Sequence, residues 1–353
     1  MGKPERGNNR LTGIFLIAVL AAGLFLALFD PALLRAPENR DFLGGGWTTG
    51  YKEAFERGLP IRKAAVQTIG ALRYLLFREG EEGVLVGEGG WLFTSEEFAC
   101  PPDGPQVMAE NLGFVREVRD LLARRGIDLI VVLLPSKARI YADKLGRYRL
   151  PPCAAVRYEE FRHAVLELGI DCPDLLTALR EARSREEVFF RTDTHWRPYG
   201  AAAAAAAAAE AGRPRLDRKS SPRSRYVTRR LGVRDFQGDL LRFVPLGRFQ
   251  RILGIPSERV EVLETEAREE SPLGLFDRPV IPVALVGTSY SAGRTWNFDG
   301  ALKEALEADV LNLGAEGRGP FLPMRTYLSG QTFDQVPPDL VLWEIPERCL
   351  QEP

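Results

Sequence analysis

Histidine is nearly missing from this chain of 353 residues, which holds only His163 and His195. The four cysteines, Cys100, Cys153, Cys172 and Cys349, show no Cys-x-x-Cys spacing, so a zinc cluster is hard to assemble, and no metal or other cofactor is expected. An excess of charge is lacking as well. A formal net charge of -1 exerts no global pull on nucleic acid, and no nucleic-acid partner is expected. No internal repeat is visible. What remains is ordinary globular usage, 45% hydrophobic and 27% charged, which is enough apolar material for a folded body.

The first feature present is an apolar run, Leu11 to Phe29. As a helix it reaches about 28 Å, close to the hydrocarbon thickness of a bilayer. Lys3, Arg6 and Arg10 precede it and Asp30 follows, so the positive-inside bias leaves the N-terminus in the cytoplasm. The expected layout is a cytoplasmic N-terminus over 1–10, one transmembrane helix over 11–29, a membrane-proximal helical segment over 30–82 and a catalytic domain over 83–353. That is a single-pass protein of the inner (cytoplasmic) membrane whose catalytic domain faces the periplasm or another extracytoplasmic space. A cleaved signal peptide is the competing reading, since Ala21, Ala22 and Gly23 can frame a cleavage site, but the apolar run continues past them. In an oxidising compartment the four cysteines allow three pairings, and one or two disulfides are expected without a choice among them.

Beyond the run, Pro31, Pro37 and Gly44-Gly45-Gly46 break the chain before helical stretches at Tyr51 to Arg57 and Ile61 to Phe77. From Gly83 the pattern alternates. Val84-Leu85-Val86 reads as a short strand, and Leu112, Val115, Val118 and Leu122 as one face of a helix that ends at Gly126. Ile127 to Leu134 has the continuous apolar character of a parallel strand covered on both faces. Helices follow at Phe161 to Leu168 and Leu175 to Ala182, then a strand at Val188 to Phe190 leading into Asp193. The alanine run Ala201 to Ala209 predicts a helix lying close on a sheet. Val280 to Val286, Val310 to Leu313 and Leu340 to Trp343 read as further strands, with a helix over Asn297 to Ala308. This alternation predicts one three-layer α/β/α domain on a mainly parallel sheet. Arg213 to Arg234 holds nine Lys or Arg residues against the single Asp217, and reads as a solvated loop or as a contact for an anionic glycan or lipid headgroup.

Two motifs sit at expected strand ends, where open α/β sheets bind ligands. One is Asp193-Thr194-His195-Trp196; the other is the turn Gly287-Thr288-Ser289-Tyr290-Ser291. Serine needs a base within hydrogen-bond reach, itself oriented by a third group. His163 falls inside a helical stretch, which leaves His195 as the base, with Asp193 two residues away to hold its tautomer. Each motif alone is weak, because an Asp-x-His is common and a Gly-x-Ser hydroxyl often only caps a helix.

Together, Asp193-Thr194-His195-Trp196, Leu285-Val286-Gly287-Thr288-Ser289-Tyr290-Ser291 and Trp296-Asn297-Phe298 resemble the alginate O-acetyltransferase family with its SGNH-hydrolase-like domain. Glu38-Asn39-Arg40, Gly90-Trp91-Leu92-Phe93, Pro135-Ser136-Lys137-Ala138-Arg139-Ile140-Tyr141, Gly238-Asp239-Leu240 and Trp343 to Arg348 extend the likeness. The resemblance implies a triad of Ser289, His195 and Asp193, in a circularly permuted motif order relative to ordinary SGNH esterases. It also implies the anchored members without a carbohydrate-binding module, an exported polysaccharide as acceptor and a membrane-bound O-acyltransferase as acetyl supplier. The expected reaction passes through an acetyl-serine; the alternatives are a polysaccharide acetylesterase with the same triad and a non-catalytic glycan-binding scaffold of a secretion complex. The Ser289 N–H is one expected oxyanion donor, with a second expected from the stretch Asn312 to Gly319. Arg294 and Arg318 are candidates for glycan carboxylates, and Trp91, Trp196 and Trp343 for sugar stacking or core packing. Glu344, Glu347 and Arg348 are expected to form a structural ion-pair and hydrogen-bond set near the last strand, with a place at the rim of the site as the alternative.

Overall fold

The computed structural model describes residues 60–255, 257–268 and 280–352, together with Phe25 and Thr48. The expected span Leu11 to Phe29 (Phe25 apart) and the stretch Tyr51 to Arg57 lie outside the described residues. Among those described, no helix is long and apolar enough to cross a membrane.

In chain order the elements are helix α1 (Pro60–Phe77), strands β1 (Val84–Val86) and β2 (Leu92–Thr94), helix α2 (Gly104–Arg124), strand β3 (Asp128–Leu134), and helices α3 (Lys137–Ile140), α4 (Pro152–Glu167), α5 (Leu175–Arg183) and α6 (Pro198–Arg218). Strands β4 (Tyr226–Phe236), β5 (Glu258–Ala267) and β6 (Val283–Gly287) follow, then α7 (Ser289–Ala292), α8 (Phe298–Leu306), β7 (Val310–Gly314), α9 (Phe321–Ser329), α10 (Gln331–Gln335) and β8 (Leu340–Pro346). Proline and glycine set many of the boundaries. Proline occupies the first turn of α2, α4 and α6, where its missing N–H costs nothing, and Gly126 turns the chain after α2 at φ +67.

Two compact units divide the chain, one of residues 1–77 with 245–253 and one of 78–244 with 254–353. In the first, α1 lays Gly70 against Pro245 and Gln67 against Gly247, and Tyr74 is buried. The second is built on a four-stranded sheet in the order β3-β8-β6-β7, parallel throughout. Its strands β6 and β8 are buried at every residue, as their apolar character requires, with Glu344 the one charged residue among them. Helices cover both faces. Gly212 of α6 meets Ile130 and Leu340, whereas Phe114 of α2 and Phe321 of α9 pack on Trp343. Leu340 and Trp343 are three apart along one strand and so point to opposite faces. The result is an α/β fold of three layers with a parallel sheet.

The alanine run does what its small side chains permit. Ala201, Ala204, Ala205, Ala208 and Ala209 are buried on the inner side of α6, which also packs on α5 and α8. The basic stretch is not a loop. It comprises the end of α6, a short connection and much of β4, whose antiparallel partner β5 was not anticipated. Its cations are largely met within the fold: Arg215 by Asp171, Arg218 and Lys219 by Asp128, Arg223 by Asp217, Arg229 by Glu266 and Arg230 by Glu261. Val188 to Phe190 is not a strand of the sheet either, and makes only an isolated bridge between Phe189 and Trp196. Cys100 and Cys153 form a disulfide, while Cys172 and Cys349 are buried thiols.

Gly200, at the start of α6, passes so close to Val188 that an added Cβ would overlap its backbone carbonyl. Gly200→Ala gains about 1 kcal/mol of helix propensity, against an overpacking penalty of about 1–3 kcal/mol that a carbonyl fixed by the Arg197 N–H cannot relieve. A lower urea midpoint with an unchanged slope is the expected outcome; a raised midpoint would refute this account of the contact.

Candidate active site

All four sheet strands deliver a polar segment to the carboxyl edge: Lys137 follows β3, Ser289 follows β6, Gly317 and Gly319 follow β7, and Arg348 follows β8. Across this edge runs a strap, residues 188–197, closed on itself by the Arg197 N–H to the Val188 carbonyl (2.8 Å) and the Phe190 N–H to the His195 carbonyl (3.3 Å). It presents Asp193 and His195 to the end of β6.

The Ser289 hydroxyl lies 2.7 Å from His195 Nε2, and His195 Nδ1 lies 2.7 Å from Asp193 Oδ1. Asp193 Oδ1 also accepts the His195 N–H at 2.8 Å, and its Oδ2 accepts the Asp239 N–H at 2.7 Å. Burial pushes this carboxyl up, but the His195 ring and charge and the two N–H groups outweigh it and hold the carboxyl below its usual range. An ionised Asp193 fixes the tautomer: Nδ1 carries the proton and Nε2 offers its lone pair to the serine. Asp239 is the second carboxylate here, 3.9 Å from Nδ1, and its Oδ1 accepts the Thr194 N–H at 2.8 Å. Burial, and then the Asp193 charge, raises its carboxyl. Asp193, His195 and Asp239 place three potential ligand atoms within 4.8 Å. Asp193 already spends its lone pairs on three protons of the strap and its neighbour, so this donor set suits proton handling.

Ser289 opens α7, with Thr288 at the N-cap accepting the Tyr290 N–H at 3.3 Å. No hydrogen bond of the Ser289 N–H occurs among the described residues, which leaves that donor for a developing oxyanion. The turn is held from below by buried Glu344, which accepts the Thr288 N–H (2.7 Å), the Thr288 hydroxyl and the Ser291 hydroxyl. Ser289 and His195 open on a cleft of about 530 Å³, lined also by Thr194, Asp239, Arg242, Gly317, Gly319 and Arg348.

Of the residues expected from sequence, Asp193, His195 and Ser289 come together, and Gly319 lines their cleft. The others do not. The Asn312 amide donates to the Ser291 carbonyl at 2.8 Å and its oxygen accepts the Gly314 N–H, so it is spent on closing the loop beneath α7. Arg318 is exposed and lines a different depression beside α9, and exposed Arg294 is not among the cleft residues. Trp196 is fully buried, packed on Tyr290 and Phe298, and Trp91 and Trp343 are likewise core. The expected Glu344, Glu347 and Arg348 set is three separate arrangements: Glu347 takes Arg139 at 2.6 Å, Glu344 the serine turn, and Arg348 bonds Glu96 and the Tyr290 hydroxyl in the cleft wall.

Three supports were missed. Trp296 stacks on His195 with centroids 4.3 Å apart and planes 12° apart, and its Nε1–H donates to the Ser289 carbonyl at 3.1 Å. Lys137, fully enclosed, donates to the carbonyls of Leu92 (2.5 Å), Arg191 (3.0 Å) and Asp193 (2.8 Å). Glu258 of β5 accepts the N–H groups of Arg191 and Thr192, both at 2.8 Å. Gly238 was the available signal for Asp239: a Cβ there would strike the Thr192 carbonyl, so only glycine brings Asp239 under the strap.

The fold and this trio define an enzyme of the SGNH-hydrolase-like class with a serine nucleophile. The family described as an SGNH hydrolase-like domain, acetyltransferase AlgX, matches residues 84–347, and the chain belongs to it. It is 40% identical over 344 residues to a probable alginate O-acetylase AlgJ of Pseudomonas aeruginosa, covering 93% of this chain and 87% of that one. It is 38% identical over 346 residues to the protein of the same name from Azotobacter vinelandii, covering 97% and 89%. The solved O-acetyltransferase domain of Pseudomonas putida AlgJ aligns with a TM-score of 0.69 at 39% identity, covering 77% of this chain and 93% of that domain.

Trp296→Phe keeps an aromatic face on His195 but deletes the bond to the Ser289 carbonyl. One hydrogen bond of about 1 kcal/mol predicts a fall in kcat of about fivefold with KM unchanged, and Trp296→Ala should fall further; equal activity of all three would refute the positioning role. Glu97 caps α3 through the N–H groups of Lys137 (3.1 Å) and Ala138 (2.8 Å), and burial pushes its carboxyl up to about 7. Folded protein therefore holds a proton that unfolded chain has released between about 4.5 and 7, so this contribution to stability is present below 4.5 and is lost as pH rises through 7. Glu97→Gln should flatten that part of the curve of urea midpoint against pH, and an unchanged curve counts against the buried carboxyl.

Proposed function

We propose that the chain transfers acetyl groups to hydroxyls of an exported polyuronate of the alginate type, through an acetyl-serine on Ser289. The observation that carries this is the unbroken hydrogen-bonded line from Ser289 Oγ through both His195 nitrogens to Asp193, at the wall of an open polar cleft. His195 Nε2 takes the hydroxyl proton as Oγ bonds to the acetyl carbonyl carbon, and Asp193 stabilises the imidazolium. The Ser289 N–H, with an N–H from the Gly317 to Gly319 turn, meets the oxyanion. Collapse breaks the bond to the donor oxygen, which leaves with the proton from His195. An acceptor hydroxyl then gives its proton to His195, attacks the acetyl-serine and frees Oγ, which recovers the proton. Arg242 and Arg348, rather than Arg294 and Arg318, are the cations that line the cleft and suit uronate carboxylates.

In this reading residues 1–10 are cytoplasmic, 11–29 cross the inner membrane, 30–82 are membrane-proximal and 83–353 form the extracytoplasmic catalytic domain. A membrane-bound O-acyltransferase supplies the acetyl group, and the motif order, with Asp193 and His195 ahead of Ser289, is that of a circular permutation. Supporting this layout are the length of the apolar run, the basic residues before it and the Cys100–Cys153 disulfide, which suits an oxidising compartment.

Incubation with an activated acetyl ester should leave acetyl on Ser289 by mass spectrometry, with none in Ser289→Ala. Added uronate oligosaccharide should then gain the ester. Acetate release with no acetyl on any oligosaccharide would instead mark an acetylesterase, and normal polymer acetylation by Ser289→Ala would mark a scaffold. Asp193→Asn, which presents the wrong hydrogen to Nδ1, should lower kcat by about 10⁴, as in a protease triad.

A further inference from the structure

One face of α1 has no counterpart in the reaction. Its inner side, Gln67, Gly70 and Tyr74, faces the segment 245–253 or is buried. On the opposite side Ile69, Leu72 and Leu76, spaced as one helical stripe, are 59%, 49% and 66% exposed, and Leu75 widens the stripe. Single exposed apolar residues are ordinary, but four on one side of one helix make a patch that calls for an occupant. The helix does not span a bilayer, since no described helix is long and apolar enough to cross one. Its sequence carries Arg62, Lys63 and Arg73 and no acidic residue between Pro60 and Phe77. An apolar stripe on a helix whose only charged residues are basic is the composition of a helix lying in a membrane interface over anionic headgroups.

We propose that α1 lies flat on the bilayer, with Ile69, Leu72 and Leu76 among the acyl chains and the exposed Arg73 at the headgroups. The apolar run Leu11 to Phe29 ends 30 residues before α1, so a chain anchored there tethers this helix within about 100 Å of the same surface. That step rests on the anchoring proposed above; the apolar stripe and the charge do not.

The full chain is reconstituted into phosphatidylglycerol–phosphatidylethanolamine vesicles with an environment-sensitive thiol label at Leu72→Cys, Leu76→Cys, Glu160→Cys on an exposed helix, or Ala18→Cys within the run. The native thiols do not compete, being buried or paired. Labels at 72 and 76 should shift to the blue and be quenched by spin-labelled lipid at least about twofold more than the label at 160. Water-like spectra at 72 and 76 overturn the proposal, as does shielding that appears only when the acetyl-supplying membrane protein is added. The label at 18 reports the anchor separately: quenching at 72 without quenching at 18 keeps the helix on the membrane and removes the span.

Discussion

The structure depends on one imidazole being bonded on both nitrogens at once. His195 meets a hydroxyl at 2.7 Å on one side and a carboxylate at 2.7 Å on the other, and the hydroxyl arrives from a segment 94 residues further along the chain. Each bond alone restrains the ring about its χ2 torsion, because neither nitrogen lies on the axis of that rotation. Stacked on Trp296 and bonded at both ends, it has one orientation, and that orientation points its lone pair at the serine. The strap, the serine turn and the sheet edge are arranged around this requirement.

Meeting it places charge where charge is expensive. Lys137, Glu97 and Glu344 are all fully enclosed, and burial drives the Lys137 ammonium down to about 8 and both carboxyls up. None of them faces substrate. Each instead gathers backbone groups that irregular chain cannot pair within itself: three carbonyls on Lys137, two N–H groups of α3 on Glu97, and the turn before Ser289 on Glu344. A strap that is neither helix nor strand has to find such partners, because an unpaired buried peptide group costs about as much as a lost hydrogen bond. Strand β5 joins in through Glu258, which explains why a two-stranded ribbon outside the main sheet bears on the site.

The same distinction separates what the amino-acid sequence makes plain from what it hides. Strand β6, β3 after Asp128 and β8 apart from Glu344 are apolar runs, and α6 is an alanine helix, so period and composition place them within a few residues. The trio was legible because two motifs supply its parts and only one histidine was free to serve. The strap was misread as a strand since Val188-Phe189-Phe190 is apolar for another reason: it fills the core beneath the site. Asn312 was misread because a side-chain amide beside a glycine loop looks the same whether it faces a ligand or the Ser291 carbonyl. Lys137, Glu258 and Asp239 act on backbone atoms far along the chain, and no local pattern encodes such contacts. Lys137, Asp239 and Trp296 stood in recognised motifs and lacked only a role, whereas Glu258 stood in none.

The openness of the cleft bears on the difference between moving an acetyl group and hydrolysing it. An acetyl-serine beside Thr194, Asp239 and Arg348 sits among polar groups that also hold water, so the protein does not exclude the competing nucleophile by burial. Transfer then wins only if an acceptor hydroxyl is held in line, where well-oriented groups reach effective molarities of about 10⁵ M or more and outcompete bulk water. The triad cannot supply that preference, since His195 deprotonates a sugar hydroxyl and a water alike. It has to come from the cleft wall beyond the trio, whose charged side chains include Arg242, Arg348, Glu96, Glu316 and Glu352. The chemistry of the trio is thus common to hydrolases and transferases, and acceptor grip at the wall is what sets the outcome.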